Sequence, residues 1–429
     1  MIELLVALLA FIGLGIAIHL WGFPKFSILL ILFCAAVLPR NLTHQSVYRH
    51  VGIGPASPEL TTYIVAVGAL LLFALFRPRY RLGLMVWIPL IAWLAAGAAL
   101  VWTGGEVQQS GILQLLLAPA AWVIGMNISS GLAADNGRFL VRLISSVIFL
   151  QLAVCILQWL GLDVNPLEAN QEALLGSRFN GTLGHPNDLG KVIFLLLAAM
   201  LPFGRRVGGA DAVLWRYAVG AGLVVLAMTG GRAVSAAAVC MLLIWALLSP
   251  ARAAKRGRKA AFVGVALTAA AFLSGVLLSR FDEDPEGGAR STLTDVAWAQ
   301  ISSSPWLGVG PNSYVDVVGS YDALTASGVP VHNAFLLALA EIGIVGAASL
   351  LLPVVIGTLV ALRRFRLNSD GGEASRVYLA ALPGLYLVGT TGWGILGGYV
   401  LPLFALVFGL LHAWSSQRSN VEALSPIAA

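Results

Sequence analysis

Charge is what this sequence has least of. Only 11% of its 429 residues are Asp, Glu, Lys or Arg while 59% are hydrophobic, against roughly 25% charged in an ordinary soluble domain. So little polar sequence cannot coat a water-facing surface, which excludes a soluble globular fold and makes lipid the solvent. Cysteine is scarce too. Cys34, Cys155 and Cys240 each sit inside an apolar run with no CxxC spacing, which argues against a disulfide framework or a cysteine-held zinc. HExxH, Walker-loop and GxSxG motifs are missing, so metallohydrolase, nucleotide-binding and serine-hydrolase chemistry has no support. The net charge of +6 would suggest nucleic acid in a soluble protein; here it reads as the positive-inside bias of a membrane protein, with no nucleic-acid partner.

What is present is a series of apolar runs long enough to cross a bilayer, about 17–25 residues each. They fall at 3–20, 24–39, 60–76, 83–102, 111–131, 139–162, 188–203, 216–230, 233–249, 260–279, 333–362, 377–394 and 399–414. The expected fold is an all-α polytopic membrane protein of about 12 transmembrane helices (range roughly 11–13) with one large external loop containing short helices. Placing successive loops on alternate sides puts all 26 Lys and Arg on one face except Arg40, Arg49, Arg178, Lys191, Arg232, Arg280 and Arg290. The crowded face is therefore cytoplasmic. The chain divides into helices 1–10 with short basic cytoplasmic loops (1–279), the large external loop (280–331), C-terminal transmembrane helices (332–414) and a cytoplasmic tail (415–429). Within the loop, Leu293, Val296, Ala297 and Ile301 recur at helical spacing ahead of Pro305 and Gly308, predicting an amphipathic helix.

Long ordered loops tend to carry function, and the reactive residues gather on the external side. His332-Asn333 opens the run HNAFLLALAEIG. A histidine at the outer end of a membrane helix meets water yet is anchored, which suits a general base; it equally suits an interfacial histidine satisfying a helix end. On a straight helix Gly343 and Gly346 share the His332 face and allow close packing, while Glu341 falls about 180° away and needs a partner elsewhere. A second cluster, RFNGTLGHPN at 178–187, supplies Arg178, His185 and Asn187 around a tight turn, with Asn187 the expected N-cap. A third, TGGR at 229–232, places Arg232 at the membrane boundary, where phosphate binding competes with snorkelling to lipid. Arg280 and Arg290 flank an acidic patch containing Asp282 and Glu286, which reads as a solvated loop rather than a metal-binding DxD.

In order along the chain, RFNGTLGHPN, TGGR, RSTLTDVAWAQISSSPWLGVGPNSY (290–314) and HNAFLLALAEIG (332–343) resemble the O-antigen ligase and O-antigen polymerase family of bacterial inner-membrane glycosyltransferases. The spacing of His332, Asn333 and Gly343 carries most of the likeness. The resemblance implies a multi-pass protein of the bacterial inner membrane, with its active site facing the periplasm. It implies metal-independent, inverting transfer of a glycan from undecaprenyl diphosphate to an acceptor hydroxyl, with no cofactor. His332 would be the catalytic base. Arg178, Arg232 and Arg290 would bind the donor diphosphate, supported by Arg280, His185, Asn187 and Asn333.

The first reading of the acceptor is the lipid A core, in lipopolysaccharide synthesis. The alternatives are a second lipid-linked glycan, as in O-antigen or exopolysaccharide polymerisation, then a protein hydroxyl. A glycolipid transporter is the rival from another class; it would place ionisable groups at the bilayer midplane and broken helices in two related halves. The aromatics Trp298, Trp306, Tyr314 and Tyr321 are expected to help the loop hold sugar or lipid.

Overall fold

The computed structural model describes residues 13, 15–38, 61–75, 82–102, 104–130, 134–162, 164–165, 178–250, 264 and 289–417. Among the described residues the chain is helical and contains no strand. The helices are α1 (Phe23–Ala36), α2 (Thr62–Leu75), α3 (Leu82–Met85), α4 (Ile88–Leu100), α5 (Glu106–Ser130), α6 (Ala134–Trp159), α7 (Pro186–Met200), α8 (Gly209–Met228), α9 (Arg232–Leu248), α10 (Ala289–Ser303), α11 (Tyr314–Val318), α12 (Ala323–Ala326), α13 (Ala334–Arg364), α14 (Asp370–Thr391) and α15 (Val400–Ser416). Five of them, α5, α6, α7, α8 and α13, are long and apolar enough to cross a membrane, and α1, α2, α4, α9 and α15 are shorter apolar helices.

Each apolar run from 24–39 to 233–249, and each of the three after residue 332, is helical. Several helices start ahead of their apolar runs, among them α5 at Glu106, α6 at Ala134 and α14 at Asp370, and two other boundaries differ for a local reason. The run at 83–102 is broken between Met85 and Ile88, where Pro89 starts a new helix and Trp87 forms its N-cap. The run at 216–230 begins earlier, at Gly209, because the polar residues Asp211 and Arg216 interrupt the apolar pattern without interrupting the helix. Most of the 3–20 run, the 260–279 run apart from Gly264, the segment 40–59, Arg280, the acidic patch at 282–286 and the tail beyond 417 lie outside the described residues.

Side-chain contacts identify the two ends of the bundle. At one end Arg142 pairs with Asp211 at 2.7 Å, and Arg206 pairs with Asp370 and lies over the Trp414 ring. There too Arg364 donates to the Gln417 carbonyl, and Lys25 stands over Phe139. The opposite end gathers Arg178, Lys191, Arg232 and Arg290. It is held by uncharged amides: Gln151 donates to the Ala36 carbonyl and Thr182 Oγ1, and Gln114 donates to the Gly398 carbonyl at 2.6 Å. α7 is the central pillar, buried along almost its whole length. α5 and α15 touch backbone to backbone, since a Cβ on Gly125 would meet the Leu406 carbonyl oxygen at 2.1 Å. The outer surface carries exposed Leu100, Tyr217, Trp159 and Leu247. Apolar exposure on that scale fits lipid rather than water, and the chain is a multi-pass membrane protein.

α13 departs most from the expected straight helix. Gly343 has φ 67° and ψ −179° inside it, a left-handed conformation that favours glycine. Three carbonyls ahead of the break lose their helical partners and find others. Ala340 O accepts from Val309 N at 3.0 Å, Glu341 O from Gly310 N at 2.8 Å and Ile342 O from Trp93 Nε1 at 2.9 Å. Beyond the break, Ile344 N donates to Pro305 O at 2.9 Å. The loop segment 305–310 thus sits in the helix as a plug and satisfies the backbone groups that the break releases.

Candidate functional site

The motifs at 178–187 and 229–232, separated by about half a hundred residues, meet at the amide-held end of the bundle. Arg178 Nε donates to the Thr229 carbonyl at 2.8 Å, its Nη2 donates to Asn187 Oδ1, and its stem lies against Gly230. The guanidinium therefore staples the start of α7 to the turn between α8 and α9, and that turn presents Arg232 as the first residue of α9. The N-cap of α7 is His185, not Asn187 as expected: its Nδ1 accepts from Asn187 N at 3.1 Å. The cause is Pro186, which forces the preceding residue out of the helical region and itself suits the first helical position. Asn187 is left to receive Arg178.

His332 stands just before α13. The capping is done by its neighbour Asn333, whose Oδ1 accepts from Phe335 N at 2.9 Å and Leu336 N at 3.2 Å. The histidine is thereby spared the helix end. It is half-buried, and its Nδ1 has no hydrogen-bond partner among the described residues. Burial first, and the Arg290 charge second, hold its imidazole below the ordinary histidine value, with the Pro330 carbonyl pulling the other way. Arg290 itself is exposed, at the start of α10. The pair thus comprises a neutral imidazole near pH 7 and a water-facing guanidinium within electrostatic reach of it. α10 is amphipathic as its spacing predicts, with Leu293, Ala297 and Ile301 buried and Trp298 exposed.

Residues beside each group, Phe335 near His332 and Lys191 near Asn187, approach the same feature, the end of α14 and the turn after it. Phe335 stacks on Tyr386 at 5.8 Å and packs on Gly389 from one side. From the other, Lys191 reaches Gly394. Directly beneath Ala334 an apolar cleft of about 300 Å³ opens between α13, α14 and α15, lined by Phe335, Leu339, Leu351, Leu385, Ile395 and Phe404 among others. A shallower apolar hollow bounded by Trp159, Phe179 and Met228 lies beside Arg178. Among the described residues no three His, Cys, Asp or Glu side chains gather as metal ligands.

Three features escaped the sequence reading. Lys191, largely buried, pairs with Asp188 at 2.9 Å; the i,i+3 spacing was there to see, but the burial was not. Glu341 is fully buried, and its expected missing partner is the Asn312 backbone N–H, which donates to Glu341 Oε2 at 2.7 Å. Gly343 breaks α13 rather than easing helix packing on the His332 face, whereas Gly346 does pack closely, on Trp93. Of the loop aromatics, Trp298, Trp306 and Tyr321 are exposed, but Tyr314 is wholly buried and serves the core of the loop.

Residues 217–351, from α8 through the break in α13, match the family model described as O-antigen ligase. The matched span contains Arg232, Arg290, His332 and Gly343, and leaves out Arg178 and Asn187. No curated protein sequence matches the chain.

Proposed function

Residues 217–351 belong to the O-antigen ligase family, and from that premise we propose that this protein transfers a glycan from undecaprenyl diphosphate to an acceptor hydroxyl at the periplasmic face of the bacterial inner membrane. The lipid A core is the proposed acceptor. The observation that carries the reading is the cleft of about 300 Å³ that opens at Ala334, two residues after His332. A polyprenyl chain costs about 0.8 kcal/mol for each CH₂ brought into water, so the donor must keep its lipid in the bilayer and reach the site sideways. The cleft provides an apolar bed in the right place, with a cation and an imidazole above it. The basic end, with Arg142, Arg206, Arg364 and Arg376, faces the cytoplasm in this reading.

In the proposed reaction the acceptor hydroxyl gives its proton to the neutral His332 imidazole as its oxygen attacks the anomeric carbon. The bond from that carbon to the diphosphate oxygen breaks, and the leaving diphosphate takes the electron pair. Arg290, with Arg232 and Arg178 across the end of α14, supplies positive charge where negative charge develops. A single displacement of this kind inverts the anomeric configuration. Two features expected of a transporter are present, a broken helix and a buried acid. The break, however, is filled by 305–310 of the same chain and lines no solute path, which favours the enzyme.

The test is glycan transfer in proteoliposomes containing only the purified protein and a polyprenyl-diphosphate-linked glycan. Lipid A core, a second lipid-linked glycan and a protein are offered separately as acceptors. Inverted product on lipid A core is the expected result. No transfer to any acceptor, or a product that retains the donor configuration, defeats the proposal.

A further inference from the structure

The chemistry just described leaves Glu341 and the break in α13 unused, yet both are unusual. A carboxyl group with no exposed surface is costly in any protein and more so within a membrane helix. An alanine or leucine would fill the same space in an unbroken helix. From outside α13 the carboxyl is met by backbone N–H groups of the loop, that of Asn312 at 2.7 Å from Oε2 and that of Tyr314. Asn312 holds a left-handed conformation, φ 64°, which asparagine tolerates, and is itself fully buried. Its side chain donates to the Val107 carbonyl of α5 at 3.3 Å.

The chain on either side is equally constrained. A Cβ on Gly308 would meet the Glu341 carbonyl at 2.4 Å, and one on Gly343 would meet the Trp306 carbonyl oxygen at 2.1 Å. Ser304 and Gly308 bond each other, Ser304 Oγ to Gly308 O at 3.0 Å and Gly308 N to Ser304 O at 3.1 Å. They link the plug without slack to the end of α10, and α10 lies along α13 with Arg290 at its far end.

We propose that the Glu341 carboxyl is a latch: by holding Asn312 it keeps the segment 305–313 seated in the break of α13, and the seated segment fixes α10 so that Arg290 stands over His332. Glu341 is a positioning residue and touches no substrate. The inference rests on His332 being the base of the proposed transfer, but its structural half is independent of any activity. A carboxyl is suited to the task because it cannot be left unpaired. Helix and loop are stable together in one register, whereas an apolar residue would be indifferent to whether the loop is seated.

The experiment uses full-length protein carrying Glu341→Leu or Glu341→Gln, with three readouts: the rate of proteolytic cleavage between residues 305 and 321 in detergent, thermal unfolding, and kcat and KM for the donor. Glu341→Leu is expected to raise loop cleavage about tenfold or more and to lower kcat by a similar factor, with donor KM within about threefold of native and Tm unchanged or higher. Glu341→Gln keeps an oxygen for the Asn312 N–H and is expected to restore both loop protection and kcat. A protected loop in Glu341→Leu overturns the latch, whatever the transfer assay shows. A released loop with native kcat overturns the positioning role. If native protein transfers no glycan but Glu341→Leu still releases the loop, the function proposal fails and the latch stands. Should Glu341→Leu not insert, Gly308→Ala, which leaves the membrane helix untouched, must release the loop in the same assay, and its failure to do so overturns the latch equally.

Discussion

Replacing Gly343 with alanine perturbs one atom in the break of α13. Alanine at φ 67° costs about 1–2 kcal/mol relative to glycine. Its Cβ would also lie 2.1 Å from the Trp306 carbonyl oxygen and 2.3 Å from the carbonyl carbon, distances that backbone atoms cannot share. Relief requires the loop segment to leave. Leaving breaks the bonds from Val309 N to Ala340 O and from Gly310 N to Glu341 O, along with that from Ile344 N to Pro305 O. The helix recovers the last by closing on itself and gains about 1 kcal/mol from alanine propensity. The relieved strain and the recovered propensity together put the shift against docking at about 2–3 kcal/mol, while the two loop amides, at roughly 0.5–1.5 kcal/mol each, oppose release in native protein and variant alike. That lowers the docked fraction relative to the undocked by roughly 30- to 150-fold. Limited proteolysis of the loop and the glycan-transfer rate measure it, and Tm should hardly move because α13 itself becomes more regular. A Gly343→Ala protein with a protected loop and a native rate would refute the reasoning, since neither the left-handed φ nor the close approach would then matter.

Four further outcomes are expected. His332→Ala should reduce kcat by about 10²–10⁴-fold with normal insertion and donor KM, as measured in proteoliposomes. Because burial and then Arg290 lower the His332 pKa, the base stays neutral to a more acidic pH than an ordinary histidine, and the rate falls only below it. Arg290→Ala removes the second cause, so the acid limb of the rate–pH profile should move up, by less at high salt because Arg290 is exposed; an unmoved limb would show that Arg290 does not act on the imidazole. Arg178→Lys cannot serve both the Thr229 carbonyl and Asn187, so donor KM should rise, and protease sensitivity near residue 178 should rise with it. At the opposite end, Arg376 is buried against Glu373 and donates to the Phe365 carbonyl at 2.7 Å. Arg376→Ala strands a buried carboxylate at a cost of about 3–5 kcal/mol, read as a fall in Tm of several degrees with donor KM unchanged.

The helices were legible because lipid imposes long apolar runs: 399–414 falls within two residues of both ends of α15, whereas 139–162 begins five residues after the start of α6 and ends three beyond it. The start of α8 was hidden because Asp211 pairs with Arg142 at the water-facing end, so a polar first turn looked like loop. The tight turn at His185 and Pro186 and the helix start at Asn333 could be seen from residue type, although the sequence could not say which of His185 and Asn187 does the capping. The break at Gly343 could not be read: helical periodicity continues through it, and its stability comes from bonds to residues more than thirty positions upstream. The residues of the two arginine groups could be picked out by type and position in the chain, yet the approach of their neighbours Phe335 and Lys191 to the end of α14 and the turn after it depends on helix order across the bundle, which no local pattern encodes.

The ion pairs that join one element of the bundle to another are unevenly distributed. Among the described residues, Arg142 with Asp211 and Arg206 with Asp370 bridge separate elements, and both lie at the basic end; Lys191 with Asp188 and Arg376 with Glu373 each remain within one helix. At that end α14 also grips the turn after α13, since Arg376 donates to the Phe365 and Leu367 carbonyls, so α13 and α14 are joined at the base like the arms of tweezers. Splaying of α13 from α14 then grows with distance from the pins and is greatest at Phe335 and Gly389, the mouth of the apolar cleft. A bulky lipid could be admitted there by a small rotation at the base, without disturbing the contacts that keep the other face of the membrane sealed.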